Sequence, residues 1–229
     1  MYDMILGPAG DAVWMKGGQG IVFHSERSRC CVGIANTAGP LNVFDYRQGQ
    51  TGPGALLACT AAAGTVANEW DTSLKEQNKV NETFWATHLR IQVQRVTQDT
   101  ALATDRVLAV ADYRQLTSRA YFRFYHMKED LPEVQGTLED FPEAMGPEYE
   151  SVGTNFFTVN NGPSHFGAAK PLPKPLYFAA RTTYIQGQFT FGVNRGGVTM
   201  GGAAPGIGLM VYVDGYRTPK PEELAQARG

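Results

Sequence analysis

Histidine is the side chain from which a metal site or a general base is most readily built, and this chain has four. Metal ligands supplied by a single strand or helix follow short spacings, such as two histidines one or three residues apart. No two histidines of this chain follow such a spacing, so the fold alone would have to assemble a zinc or iron site. We therefore expect no catalytic and no metal-binding role for these residues: His24, His88, His126 and His165.

A second chemical resource is the acid-rich segment from Glu129 to Glu150, which has eight acids and no base. Carboxylates on a loop can bind calcium, and two acids across a cleft can hydrolyse a glycosidic bond. The segment lacks the D-x-D-x-D-G spacing of a calcium loop, and no pair of acids is singled out. Because Pro132, Pro142 and Pro147 interrupt it, we predict a solvated acidic loop.

The three cysteines indicate neither a disulfide framework nor a zinc site. Cys30 and Cys31 are adjacent, so on a strand their side chains point to opposite faces, and Cys59 makes the count odd. We expect buried free thiols.

Motifs for phosphate binding and nucleophilic catalysis are absent from the sequence. The glycine-rich stretches Asn194-Arg-Gly-Gly and Gly201-Gly lack the G-x-x-x-x-G-K-[ST] pattern of a phosphate-binding loop. No G-x-S-x-G elbow is present for a catalytic serine. The sequence therefore predicts a protein that is not an enzyme and that needs no cofactor.

Charged residues make up only 18% of the chain, hydrophobic residues make up 43%, and the formal net charge is −2. A low charged fraction favours surfaces that pack against other protein, because ionised side chains are costly to desolvate. No basic patch with interleaved aromatic residues is present, which argues against direct sequence-specific binding of nucleic acid. We also find no signal peptide and no apolar run of membrane-spanning length, so we expect synthesis in a cytoplasm.

The elements that would position any functional residue are strands. Apolar and polar residues alternate from Thr183 to Val193, from Ile207 to Tyr216 and from Phe84 to Val96, with the period of a half-buried strand. A loop with seven glycines, Gly192 to Gly208, joins the first two segments. We predict one shared core, to which the three segments contribute Ile185, Phe189, Phe191, Leu209, Val211, Val213, Leu89, Ile91 and Val93. Trp85 and Thr87 should lie on the same face of their strand as Leu89. His88, Arg90, Gln92 and Gln94 should face solvent or a partner.

Other segments are shorter or ambiguous. Strands are predicted at Gly20–His24, Cys30–Ile34 and Leu41–Phe44, with a turn at Ser25–Ser28. Further strands are expected at Leu56–Thr60, Ala120–Met127 and Val152–Val159, and a loop with one possible helical turn at Trp70–Thr83. The segment from Asp105 to Leu116 fits a helix or a buried strand, and we favour the helix. Lys170–Pro175 should be a stiff, extended connector.

The number of strand candidates, with turn signals between them, predicts an all-β domain. We expect a single jelly roll or β-sandwich over residues 19–217, with long loops and at most one or two short helices. Residues 1–18 form an N-terminal arm and residues 218–229 a C-terminal tail, in which a short helix is expected. Both have too few apolar residues to pack a core and should act as interaction arms. The candidate interaction residues are Trp14, Met15 and Leu224 in the arms and Arg195 in the glycine-rich loop.

The C-terminal part of the domain resembles a known family. An aromatic strand, a glycine-rich loop and then Ile207-Gly-Leu-Met-Val-Tyr-Val-Asp-Gly-Tyr resemble the closing strands of jelly-roll major capsid proteins of tailless icosahedral, membrane-containing phages. The likeness extends loosely to Phe84-Trp-Ala-Thr-His-Leu-Arg-Ile-Gln-Val. It implies a coat subunit of the virion that self-assembles into capsomers and an icosahedral shell. Its implied partners are further copies of itself, other capsid proteins and, in many such phages, an underlying membrane.

Two other classes of function are compatible with a β-sandwich. A glycan- or receptor-binding module would use exposed aromatic residues as a stacking platform, for example Tyr177, Tyr184 and Tyr212. A hydrolase would use acids between Glu139 and Glu150.

Overall fold

The structure is a computed structural model of the chain. The described residues are 2–6, 12–16, 22–32, 40–51, 66–95, 108–109, 116–127, 131–142, 148–152, 155–160, 169–191 and 207–220. Of these, only the backbone is described at 2–6, 12–16, 31, 94–95, 108–109, 148–152, 155–160 and 207.

Thirteen strands make up almost all of the regular structure of these residues. They are β1 Tyr2–Leu6, β2 Ala12–Lys16, β3 Val22–Val32, β4 Leu41–Val43, β5 Phe84–Arg95, β6 Leu108–Ala109, β7 Ala120–His126, β8 Val134–Thr137, β9 Glu148–Val152, β10 Asn155–Asn160, β11 Lys170–Phe178, β12 Ile185–Phe191 and β13 Ile207–Arg217. The helical residues are one turn at 116–119 and a 3-10 helix, Leu138–Asp140. The all-β prediction is confirmed.

Two antiparallel sheets form a β-sandwich. In the first, which we call the large sheet, β3, β13, β5 and β11 lie side by side, and β10 extends it beyond β5 and carries β6 and β9. In the second, the small sheet, the strand order is β4-β12-β7-β8. Strands β1 and β2, within the predicted N-terminal arm, pair as a separate hairpin.

The core lies between the facing sides of the two sheets. Burial alternates strictly along β7 and β12, as expected for strands with one face inward. Phe124 of the small sheet meets Phe178 of the large sheet, with ring centroids 6.4 Å apart. Nine positions predicted to share the core are buried: Ile185, Phe189, Phe191, Leu209, Val211, Val213, Leu89, Ile91 and Val93.

Trp85, which was predicted to face the same way as Leu89, lies on the opposite face. In β13, Asp214 pairs with His88 of β5, but the next residue, Gly215, pairs with Ala86. Thr87 is therefore an extra residue in β5 and forms a β-bulge. The bulge reverses the alternation, so that Phe84 and Ala86 are buried in the core while Trp85 is exposed. The expected polar face of β5 is also less open than predicted, because His88 is only 2% exposed.

The predicted turn at Ser25–Ser28 is wrong, since β3 runs through it without a break. Its polar residues Glu26 and Ser28 point inward and are fully buried. Both are satisfied there: the Ser28 hydroxyl accepts a hydrogen bond from the Phe44 N–H at 2.8 Å, and Glu26 accepts one from the Asn81 N–H at 3.0 Å. Because these buried polar groups have hydrogen-bond partners, the strand can continue through them.

The predicted helix from Asp105 to Leu116 is wrong at 108–109, where the chain forms β6 and pairs with Phe157 and Thr158. The apolar spacing of this segment fits both a helix and a buried strand, and the pairing with β10 makes residues 108–109 a strand. The predicted acidic loop is also wrong in part, because it includes β8, the 3-10 helix and the start of β9. Val134, Leu138 and Phe141 anchor it in the core.

The segment predicted as an extended connector is part of β11, which pairs with β5. Its extended conformation was correctly predicted. Alternate prolines at 171, 173 and 175 remove donors from the strand, as is typical of a sheet edge. The opposite edge strand, β3, is bordered by residues 71–73. The Arg29 N–H donates a hydrogen bond to the Asp71 carbonyl, and the Ser73 N–H donates one to the Arg27 carbonyl.

The remaining predictions concern shorter segments. The loop at Trp70–Thr83 is confirmed, without a helical turn, and Ala120–Met127 is strand β7. The strand predicted at Val152–Val159 is divided between β9 and β10. Leu56–Thr60 and the tail helix lie outside the described residues.

A cavity in this core should cost much of the stability. Phe189→Ala removes a fully buried ring that packs on Phe122, with centroids 4.8 Å apart. We expect the free energy of unfolding, measured with urea, to fall by about 3 to 5 kcal/mol. The control Gln188→Ala, on the other face of β12, should lose no more than about 1 kcal/mol for its one hydrogen bond to Asn42. Equal losses would contradict the assigned inward face.

Candidate interaction surface

Four aromatic side chains form a continuous row across the outer face of the large sheet. Phe23 of β3 lies opposite Tyr216 of β13, Tyr216 lies opposite Trp85 of β5, and Trp85 lies opposite Tyr177 of β11. Directly opposite residues of antiparallel strands share a face, so the four side chains, which we call the aromatic row, are neighbours. Three of them are markedly exposed: Phe23 by 47%, Trp85 by 37% and Tyr177 by 44%.

The rings of the aromatic row contact one another in pairs. Phe23 meets Tyr216 edge to face, with centroids 6.3 Å apart, and Trp85 tilts against Tyr177 at 4.9 Å. Tyr216, in the middle of the row, is only 2% exposed. Large exposed aromatic side chains that touch are a typical composition for the centre of an interface.

The bulge at Thr87 places Trp85 in this row, and a glycine makes the bulge possible. A Cβ atom built on Gly215 would lie 1.9 Å from the Trp85 carbonyl oxygen and 2.8 Å from the Ala86 Cα atom. Only glycine allows so close an approach of two backbones. Gly215 therefore determines the register between the start of β5 and the end of β13.

A polar layer lies next to the aromatic row on the same face. Asp214, fully buried, is paired with both Ser25 and His88 in strand register, and its Oδ2 accepts a hydrogen bond from Arg90 Nε at 2.5 Å. The Arg90 guanidinium also lies 3.9 Å over the Tyr212 ring. A buried carboxylate is tolerated when a cation pairs with it, so this layer gives the outer face a fixed arrangement.

Two carboxylates organise the end of the sandwich nearest the aromatic row. Glu26, inside, accepts bonds from Ser73 and Asn81, and His24 Nε2 lies 3.2 Å from its Oε1. Glu82, nearer the surface, binds Arg217 at 2.8 Å and Lys220. Partial burial acts to raise the pKa of Glu82, but the Lys220 bond and the charges of Arg217 and Lys220 outweigh it and hold the pKa below its usual range. These contacts fasten the first residues of the C-terminal tail to the domain.

Of the four predicted interaction residues, the structure describes only the backbone of Trp14 and Met15. Trp14 and Met15 are in β2, where they pair in register with Met4 and Asp3, and their side chains are outside the description. Arg195 and Leu224 also lie outside the described residues.

The described histidines are kept apart by the fold. His24 is near Glu26 and Glu82, His88 bonds to Thr87 at 2.9 Å, and His126 Nε2 lies 2.8 Å from the Tyr177 carbonyl oxygen. Over the described ranges, no three histidine, cysteine or acidic residues are grouped to hold a metal ion. Cys30 is a buried free thiol, and burial raises its pKa well above the usual range.

The three tyrosines named as examples for the glycan-binding alternative do not all lie on one face. Tyr177 and Tyr212 are on the outer face of the large sheet, whereas Tyr184 precedes β12 of the small sheet and bonds to Gln186. Sequence reasoning missed Phe23, Trp85 and Tyr216, because no spacing along the chain shows that four separate strands align them.

No protein-family model, curated protein or solved structure matches this chain. No membrane-spanning helix is found in the part of the chain that the structure describes.

Adding one methyl group at Gly215 should disturb both the sheet and the aromatic row. We expect Gly215→Ala to lower the free energy of unfolding by about 3 kcal/mol and to change the Trp85 fluorescence, because two backbones must move apart. The matched control is Gly136→Ala, whose new Cβ would have its three nearest atoms in the Asp140 side chain and not in a backbone. Because that side chain can rotate away, the control should lose about 1 kcal/mol. A loss at Gly215 no larger than that of the control would contradict the assigned bulge.

Proposed function

We propose that this chain is a non-enzymatic coat subunit that associates with copies of itself through the outer face of its large sheet. The observation that carries this proposal is the order of the sandwich strands. Numbered one to eight along the chain, β3, β4, β5, β7, β8, β11, β12 and β13 lie in the orders 1-8-3-6 and 2-7-4-5. Each sheet thus takes strands from both halves of the chain, which supports a jelly roll built from two Greek keys.

Jelly rolls are used by viral capsid proteins, by lectins and by metal enzymes of the cupin type. The two histidines one residue apart that a cupin would show are missing from the sequence. Self-association is supported by the aromatic row and by the low charged fraction of the chain. Tryptophan and tyrosine are enriched among the residues that dominate binding energy, so Trp85 and Tyr177 are the proposed anchors.

The proposal includes the partners that the family resemblance implies. Copies of the chain associate into capsomers, and capsomers associate with each other and with other capsid proteins in a virion shell, above an underlying membrane where one exists. Where two different surface patches meet, the rotation that relates successive copies must close a ring, because the assembly would otherwise be an open filament. The antiparallel β-sandwich fold supports the proposal.

Sedimentation velocity and electron micrographs of the purified protein test this proposal. The wild-type chain should sediment as oligomers or larger particles. The variant that combines Trp85→Ala and Tyr177→Ala should associate at least about tenfold more weakly, because hot-spot residues contribute about 2 kcal/mol or more. Its melting temperature should change little, since both side chains are substantially exposed.

The control for this experiment is Trp70→Ala. Trp70 is 71% exposed in the loop before β5 and lies outside the aromatic row. It should leave association unchanged. A wild-type chain that remains monomeric at every concentration would contradict the proposal.

A glycan-binding module is the second candidate, favoured by the exposed Trp85–Tyr177 pair, whose ring planes are inclined at 50°. Such a pair offers a face on which a sugar ring can stack. Binding of a monomeric chain to a glycan array, lost in Trp85→Ala, would favour this candidate over the coat subunit.

A further inference from the structure

We propose that the N-terminal hairpin, formed by β1 and β2, packs on the aromatic row of a second copy of the chain. This inference rests on the proposed coat function, because it names the segment that covers the row when copies associate. Neighbouring copies exchange their hairpins, so that each row is covered by a hairpin from another molecule. The row and the hairpin are then the two sides of one interface.

The N-terminal hairpin forms a sheet of its own. Its two strands pair with each other over five residues each, whereas the remaining described strands belong to the seven-stranded large sheet or the four-stranded small sheet. A single two-stranded hairpin is at best marginally stable in water, because it has no third strand and no helix to pack on. The hairpin therefore needs a surface outside itself.

Both faces of the hairpin are apolar by sequence and register. Of its ten strand residues only Asp3 and Lys16 are charged, and both belong to the two pairs at its open end. Directly opposite residues share a face, and successive pairs alternate between the faces. The remaining pairs are Met4–Trp14, Ile5–Val13 and Leu6–Ala12. A sheet with one face in water has polar residues on that face, so this hairpin is expected to be covered by apolar surface.

The chain connects the hairpin directly to the aromatic row. Residues 17–21 join Lys16, the last residue of β2, to Val22, the first residue of β3, and Phe23 of the row comes next. Because a chain advances by at most about 3.6 Å per residue, Lys16 lies within about 22 Å of Val22. Packed sheets are about 10 Å apart, so this connection is long enough for the hairpin to reach a row that faces its own.

The aromatic row is open in the single chain. Phe23, Trp85 and Tyr177 are substantially exposed although the same chain carries the hairpin. A hairpin seated on the row of its own chain would bury these three side chains. The hairpin that covers the row therefore comes from a second copy, which is the exchange of an identical element between protomers.

The hairpin and the row also match in size. The row crosses four adjacent strands, and a spacing of about 4.8 Å between strands gives it a length of about 14 Å. Five residues at about 3.3 Å per residue give each hairpin strand a length of about 16 Å. A hairpin that lies along the row crosses the strands of the large sheet at about 90°, which is one of the two preferred angles between packed sheets. One hairpin can thus cover the whole row.

The test is photocrosslinking of the full chain with p-benzoylphenylalanine in place of Trp14. Equal amounts of unlabelled and nitrogen-15-labelled protein are mixed before assembly, irradiated and digested. We expect crosslinks from position 14 to the peptides of β5 and β11 that contain Trp85 and Tyr177. About half of them should join a labelled to an unlabelled peptide, because the two ends come from different copies.

A second measurement uses Trp14→Ser in sedimentation velocity. This variant should associate about tenfold more weakly than the wild type, because tryptophans are enriched among the residues that dominate binding energy. The melting temperature of the dissociated chain should stay the same, since the hairpin belongs to neither sheet of the sandwich. The matched control is Lys16→Gln at the open end of the hairpin, which should associate as the wild type does.

Three results would overturn the hairpin exchange while the coat function stands. They are crosslinks only between peptides with the same label, crosslinks to a second copy away from the outer face of the large sheet, and equal association of Trp14→Ser and Lys16→Gln. In each case the wild-type chain still assembles. A wild-type chain that stays monomeric would contradict the coat function itself and, with it, the exchange.

Discussion

Strand β13 pairs along its length with two neighbours, β3 on one side and β5 on the other, and the large sheet depends on this double pairing. The register between β13 and β3 is uninterrupted, whereas the register between β13 and β5 shifts at Gly215. Strands β13 and β5 can therefore pair there only if their backbones approach without a side chain between them. The shift turns Trp85 outward and lets Phe84 and Ala86 fill the core. The outer aromatic row and the inner core are thus two consequences of one contact.

Polar residues inside the sandwich stabilise the same end of the molecule. Glu26 is buried on β3, yet its bonds to Ser73 and Asn81 tie the long segment before β5 to the sheet. Glu82, at the end of that segment, binds Arg217 and Lys220 and so fastens the chain as it leaves β13. A carboxylate left without these partners would be costly, so the segments that supply them are held in position.

The sequence predicted the position of a residue correctly where the residues that determine that position are near in the chain. It failed where they are distant. Strands β12 and β13 were predicted correctly, because their alternation alone determines which residues face the core. Trp85 was misassigned because the bulge arises from its pairing with a glycine far along the chain. Glu26 resembled a turn residue, since its partners Ser73 and Asn81 lie on another segment. The aromatic row could not be predicted, because Phe23, Trp85, Tyr177 and Tyr216 come from four strands whose order only the fold reveals.

In the proposed coat subunit, copies of this chain meet through the aromatic row. Hydroxyl-radical footprinting of assembled and dissociated protein reports directly which aromatic side chains become covered. We expect strong protection of Trp85 and Tyr177 on assembly. Trp70, which is 71% exposed in a separate loop, should be labelled equally in both states. Assembled protein in which Trp85 and Tyr177 are labelled as fully as in the monomer would contradict this expectation.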